Sequence, residues 1–220
     1  IRLSMVEISK KYKIGKRRFG LVNWYGTWTL YKKEVLRFLI VWIQTIFSPL
    51  ISSLLFLLVL SLAIGSDRGD ILGVTFINFL APGLISMQVI QQSFSHSSSS
   101  FMIGKIQGNI VDLLYAPLSA TEVTISIALA AVTRSVMIAI VSIIVFKLII
   151  NIEITNYFLL IVFTLLSSFI LGNIGIIAGL WAEKFDHMAT VTNFVIVPLS
   201  FLSGTFYSIE RLPEILQMIS

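Results

Sequence analysis

Arg134 lies inside a run, Val123 to Phe146, that holds no other ionisable side chain. A charge at the centre of a bilayer costs about 2.5–3.5 kcal/mol on insertion scales, so it must meet a partner or a water-filled path. Several roles are open to it. It could touch an anionic substrate, hold a carbonyl or carboxylate on another helix, or lie nearer the inner interface than the run suggests. Glu122 stands twelve residues earlier, about 18 Å along a helix axis, too far for a direct pair. The other chemistry-bearing residues are scattered. His96 and His187 are far apart and belong to no His-x-x-x-His or His-Glu pattern, and there is no cysteine, so no metal site is indicated. The serines at 95 and 97–100 lack the glycine frame of a nucleophile elbow. Gly15-Lys16 and Gly104-Lys105 have neither the earlier glycine nor the following hydroxyl of a phosphate loop. The chain therefore reads as a non-enzyme with no nucleotide cradle. If ATP drives it, another polypeptide binds that ATP.

The elements that carry these residues are apolar to a degree that water does not tolerate. Hydrophobic residues make up 56% of the 220 and charged residues 12%, about half the share of an ordinary soluble domain; the mean hydropathy is +0.93. Lys and Arg exceed Asp and Glu by 16 to 11, which alone could suggest nucleic acid. Their placement argues against it. Ten of the sixteen lie in residues 1–37, opposed only by Glu7 and Glu34, and a basic block before the first apolar run holds that end in the cytoplasm against anionic headgroups.

Trp24, Trp28, Tyr31, Val35 and Phe38 recur at helical spacing, with Lys32, Lys33 and Arg37 between them. Aromatics on one face and cations on the other suit a helix lying in the membrane interface. Five spans follow, at about 38–64, 71–94, 119–146, 156–180 and 190–206, each close to or beyond the roughly 20 residues that cross the hydrocarbon core. Pro49 should kink the first. The second carries Asn78, Gln88, Gln91 and Gln92, amides that belong against other helices or a watery cavity, and its helix could run on through the serines. Ser119 and Glu122 form a capping-box signal at the start of the third. Gly172, Gly175 and Gly179 on the fourth read as a close-packing face. Between the second and third spans, Ile103, Ile106, Ile110, Leu113 and Leu114 alternate with Lys105, Gln107, Asn109 and Asp112 as a short amphipathic helix on the side of the N-terminus. The chain opens at Ile1 rather than Met, which reads as a fragment without its true start.

Three stretches together resemble one family, the ABC-2 type export permeases of bacteria: Phe79 to Ile85 (FLAPGLI), Lys105 to Ser119 (KIQGNIVDLLYAPLS) and Pro198 to Pro213 (PLSFLSGTFYSIERLP). The resemblance covers nearly everything from Trp24. It implies an all-α integral membrane protein: a basic cytoplasmic segment at 1–23, then a transmembrane domain at 24–220 with five of six helices, an N-terminal interfacial helix and a cytoplasmic coupling helix. It implies that Lys105, Ile106, Asn109, Ile110, Asp112, Leu113 and Leu114 dock on a separate ATPase, which holds the ATP and Mg, and that two permeases form the working unit. Gly204, Phe206, Tyr207, Leu212 and Pro213 would belong to an outer re-entrant segment. The implied setting is the bacterial inner membrane, and the implied activity is outward transport by alternating access. The alternative on the residues alone is an ATP-independent transporter or channel, for which mid-span carboxylates would be needed.

Overall fold

The computed structural model describes residues 20, 22–64, 75–150, 152, 154 and 156–202, and among them every regular element is helical. In chain order these are α1 (Trp24–Ile40), α2 (Ser48–Ile64), α3 (Phe76–Ile106), α4 (Ile110–Tyr115), α5 (Ala120–Ile150), α6 (Tyr157–Trp181), α7 (Phe185–Val191) and α8 (Val197–Leu202). Four stretches are long and apolar enough to cross a membrane: Ile43–Leu62, Ala120–Ile150, Tyr157–Trp181 and Phe185–Leu202. They fall on the first, third, fourth and fifth spans of the sequence reading. The second, α3, has the length but not the apolar composition, since its middle is built of glutamine, serine and histidine. The packing supplies the reason. α3 is the hub of the bundle, packed most extensively against α6 and α5 and also against α2 and α8. Side chains that meet protein rather than lipid have no need to be apolar.

The bundle is apolar at both ends of α3 and polar between. Leu57, Phe76, Leu80, Ala81, Leu84 and Phe146 form one buried cluster. Phe94, Met102, Ala178, Ala182, Met188 and Ile196 form a second, and Phe101, Ile127, Ala128 and Ile176 a third beside it. The intervening turns of α3 carry buried Gln88, Ser93, His96, Ser97 and Ser98. The serine run is thus an internal surface. It faces the glycine stripe of α6: a Cβ on Gly175 would stand 2.5 Å from the Phe94 carbonyl oxygen, and one on Gly179 2.8 Å from that of Ser98. Backbones this close leave no room for a methyl group.

Two prolines meet the same solution. Five-residue π turns at Ile43–Phe47 and Thr192–Ile196 each end two residues before a proline, Pro49 and Pro198. A proline ring clashes with the carbonyl four residues back; widening the preceding turn is one way to make room for it. The kink expected at Pro49 is therefore accompanied by a local change of helix type. It also divides the first predicted run, so that Phe38 closes on α1 and the crossing stretch begins at Ile43.

The connecting segment differs from its expectation. No single amphipathic helix spans 101–118. α3 continues to Ile106, turns through Gln107, Gly108 and Asn109, and only then forms the six-residue α4. Gly108 has φ +76°, a conformation other residues adopt at a cost. The capping box holds. Glu122 Oε2 accepts from the Ser119 N–H at 2.7 Å, and Ser119 Oγ accepts from the Glu122 N–H at 3.3 Å. Glu122 Oε1 also accepts from the Asn23 N–H at 2.6 Å, and Asn23 is itself the N-cap of α1, accepting from Gly26. One buried carboxylate thus joins two helix N-termini, where the helix dipoles favour negative charge.

Candidate functional site

α1 lies along the first turns of α5 and runs parallel to it. Asn23 meets Glu122, the Thr27 carbonyl accepts from Ser126 Oγ at 3.0 Å, and Tyr31 hydroxyl pairs with Thr133 at 2.9 Å. Of the residues assigned to an interfacial face, Trp24, Trp28, Lys32 and Lys33 are exposed, whereas Tyr31 and Arg37 turn inward. The inward face leads to a group of charges that linear periodicity hides. Glu34, only 3% exposed, pairs with Arg37 Nη2 at 3.0 Å and lies 3.9 Å from Nε2 of His96, which is fully buried. Arg37 Nη2 also donates to the His96 carbonyl at 3.1 Å. One turn earlier on α3, Gln92 Oε1 accepts from Arg134 Nη2 at 2.6 Å.

Arg134 therefore binds an amide on α3, and the structure brings it beside the histidine and second arginine that the sequence alone leaves unconnected. Glu34 and His96 were legible only as an acid on a basic helix and an isolated imidazole. The signal that could have found Glu34 is its spacing of four from Leu30 and Phe38, both buried. Among the described residues no group of His, Cys, Asp and Glu is arranged to hold a metal ion.

Beside this cluster, α2, α3 and α8 enclose a cavity of about 270 Å³. Gln91, Gln92, Ser48 and Ser52 line it together with Phe56 and Met87. Gln88 braces its wall, donating to the Pro49 carbonyl at 2.6 Å and accepting from Ser142 Oγ at 3.1 Å. Three amides of the second span, Gln88, Gln91 and Gln92, thus face a cavity and neighbouring helices.

At the opposite end of α3 the segment proposed to dock elsewhere divides in two. Ile110 and Leu113 pack on Phe101, Ile127, Ala128 and Ile176, tying α4 to α3, α5 and α6. Ile106 is half exposed, Leu114 is 76% exposed and Tyr115 86%. Asn109 donates to Gln107 at 3.2 Å, and Asp112 lies in the first turn of α4. Lys105 points inward to the carbonyls closing α6, donating to Gly179 at 3.0 Å, Leu180 at 2.5 Å and Ala182 at 2.8 Å. It acts as a C-cap on a neighbour's helix. Gly204, Phe206, Tyr207, Leu212 and Pro213 lie outside the described residues.

An ABC-2 type transporter family model matches residues 25–220, which takes in α1, the bundle and the α4 turn alike. The chain belongs to the ABC-2 type transporter family. It is 30% identical over 197 residues to the inner membrane transport permease YadH of Escherichia coli strain K12 and, equally, to the protein of that name in Shigella flexneri, with 90% of this chain and 77% of each relative covered. No solved structure matches. As a member of the ABC-2 family with four strongly apolar spans, the chain is a multi-pass transmembrane transporter subunit.

Proposed function

We propose that this chain is the permease subunit of an ATP-driven exporter in the bacterial inner membrane, with its N-terminus in the cytoplasm and α3 as a fifth crossing. A separate ABC ATPase docks at α4, and a second permease completes the pathway. The observation that carries the reading is the division of α4 into an anchored and an open side. Leu114 and Tyr115 offer uncovered apolar surface at one end of the bundle, while Ile110 and Leu113 on the same short helix pack against a buried cluster that α3, α5 and α6 share. A movement imposed on the open side is passed to α3, α5 and α6 together. The cavity beside Gln91 and Gln92 then opens alternately to either side, without chemistry on the cargo.

The test is retention and stimulation of the co-expressed ATPase. The double variant L114E/Y115E should lower ATPase retention at least about tenfold, as loss of central apolar anchors does, while the bundle stays monodisperse. Replacing Ile110 or Leu113 by Glu should instead damage the bundle itself. Normal retention and transport by L114E/Y115E would refute docking at α4. The ATP-independent reading gains one observation, because Glu34 is a buried carboxylate beside His96. It predicts transport by vesicles containing the permease alone, with no ATP requirement.

A further inference from the structure

The group formed by Glu34, Arg37, His96 and Arg134 is unbalanced in charge and in hydrogen bonding. Two guanidiniums face one carboxylate, so its charge is at least +1 whether or not the imidazole is protonated. Among the described residues the other carboxylates stand elsewhere: Glu122 caps two helix N-termini, Asp112 lies on α4, Glu183 on the exposed α6–α7 loop and Asp186 in the first turn of α7. The neutral acceptors are used sparingly. Arg37 reaches the His96 carbonyl and Arg134 the Gln92 amide. Nε of Arg37, Nε of Arg134 and both ring nitrogens of His96 are buried without a hydrogen-bond partner, as is one acceptor, Glu34 Oε2, which the Arg37 charge holds at 3.0 Å. Gln92 and His96 are neighbours one turn apart on α3, so the two arginines converge on adjacent turns of one helix. α6 adds no charge here; it brings Ser168, whose carbonyl accepts from Ser93 Oγ.

An excess positive charge and two unpartnered guanidinium Nε–H donors are both relieved by one kind of ligand. We propose that Arg37, His96 and Arg134 form an internal anion site between α1, α3 and α5, entered from the α2–α3–α8 cavity past Gln92. Its ligand is a singly charged group: a halide from solution or the phosphodiester of a lipid headgroup. Gln92 fits the role of gate, because it lines the cavity and holds Arg134 at the same time. The site is distinct from α4 and does not depend on the source of energy for transport.

The purified chain in neutral detergent is heated in sodium chloride or bromide and in sodium gluconate at equal ionic strength. A parallel arm compares nanodiscs of phosphatidylglycerol and phosphatidylcholine. A saturable rise in Tm with halide, or with phosphatidylglycerol alone, supports the site and tells its source. R134Q should need roughly tenfold more ligand for the same rise, and R134K should retain most of the effect. E34Q is the decisive variant. It removes the competing internal carboxylate and should shift the response to lower anion concentration, an outcome that a purely structural role for Glu34 does not produce. Equal Tm in chloride and gluconate together with equal Tm in both lipids, or a weaker response in E34Q, overturns the proposal.

Discussion

Glu122 shows how much one side chain can organise. Its two oxygens close the capping box of α5, hold the N–H of Asn23 at the N-cap of α1, and place negative charge at two positive helix ends. Hydrogen bonds to a charged group contribute about 1.5–3 kcal/mol each. E122A should therefore cost about 3 kcal/mol and lower the Tm of the detergent-extracted chain, with E122Q intermediate because one amide oxygen still accepts. A Tm for E122A equal to that of the parent would mean that α1 is held by other contacts. The capping half of this role was legible in the sequence, since Ser119 and Glu122 announce it by spacing alone. The half that reaches Asn23 was not, because no periodic pattern links residues 99 positions apart. The same limit hid the cluster around His96. Its members are separated by 59 residues between Arg37 and His96 and 42 between Gln92 and Arg134, and each looks solitary until the helices pack.

Between elements, the decisive interface is that of α3 with α6, and small residues decide how close it comes. The glycine spacing on α6 was readable as a packing face, but its partner was not, since a serine run suggests a polar loop as readily as a helix surface. The graded distances give a graded expectation. A Cβ at Gly172 meets only side chains, at 3.3 Å and beyond, whereas at Gly175 it meets the backbone of Phe94 at 2.5 Å. G172A should be mild. G175A forces the two backbones apart and should cost about 1–3 kcal/mol, the usual cost of overpacking, seen as aggregation after extraction. Equal yields of monodisperse protein from the two variants would contradict the close approach. The break at Gly108 was missed for a different reason: the isoleucine and leucine spacing continues at helical period across the turn, so periodicity counts through a conformation it cannot see. The polar composition of α3 was readable as a surface turned to protein, because a helix at the hub of a bundle is shielded from lipid and keeps its amides.

At the scale of the molecule, two long-range hydrogen-bond sets fix which helix ends share a face. Glu122 places the N-termini of α1 and α5 together, and Lys105 places the C-terminal end of α3 with that of α6. α4 connects α3 to α5 across that same face, packed on both through Ile110 and Leu113. The opposite face collects the start of α3 with the ends of α2 and α5, which meet in the cluster of Leu57, Phe76, Leu80 and Phe146. This arrangement is independent of any argument from charge. On the proposed reading, the basic segment that precedes Asn23 holds this face in the cytoplasm. The absence of cysteine makes the whole scheme testable without background labelling. Single cysteines replacing Tyr115 and Glu183, both exposed, should react with an impermeant maleimide only after inside-out vesicles are prepared. One replacing Asn156, at the start of α6, should react in intact spheroplasts. Labelling of Tyr115→Cys and Asn156→Cys from the same side would break the topology. It would remove the proposed docking face with it, because α4 cannot meet a soluble ATPase from across the bilayer.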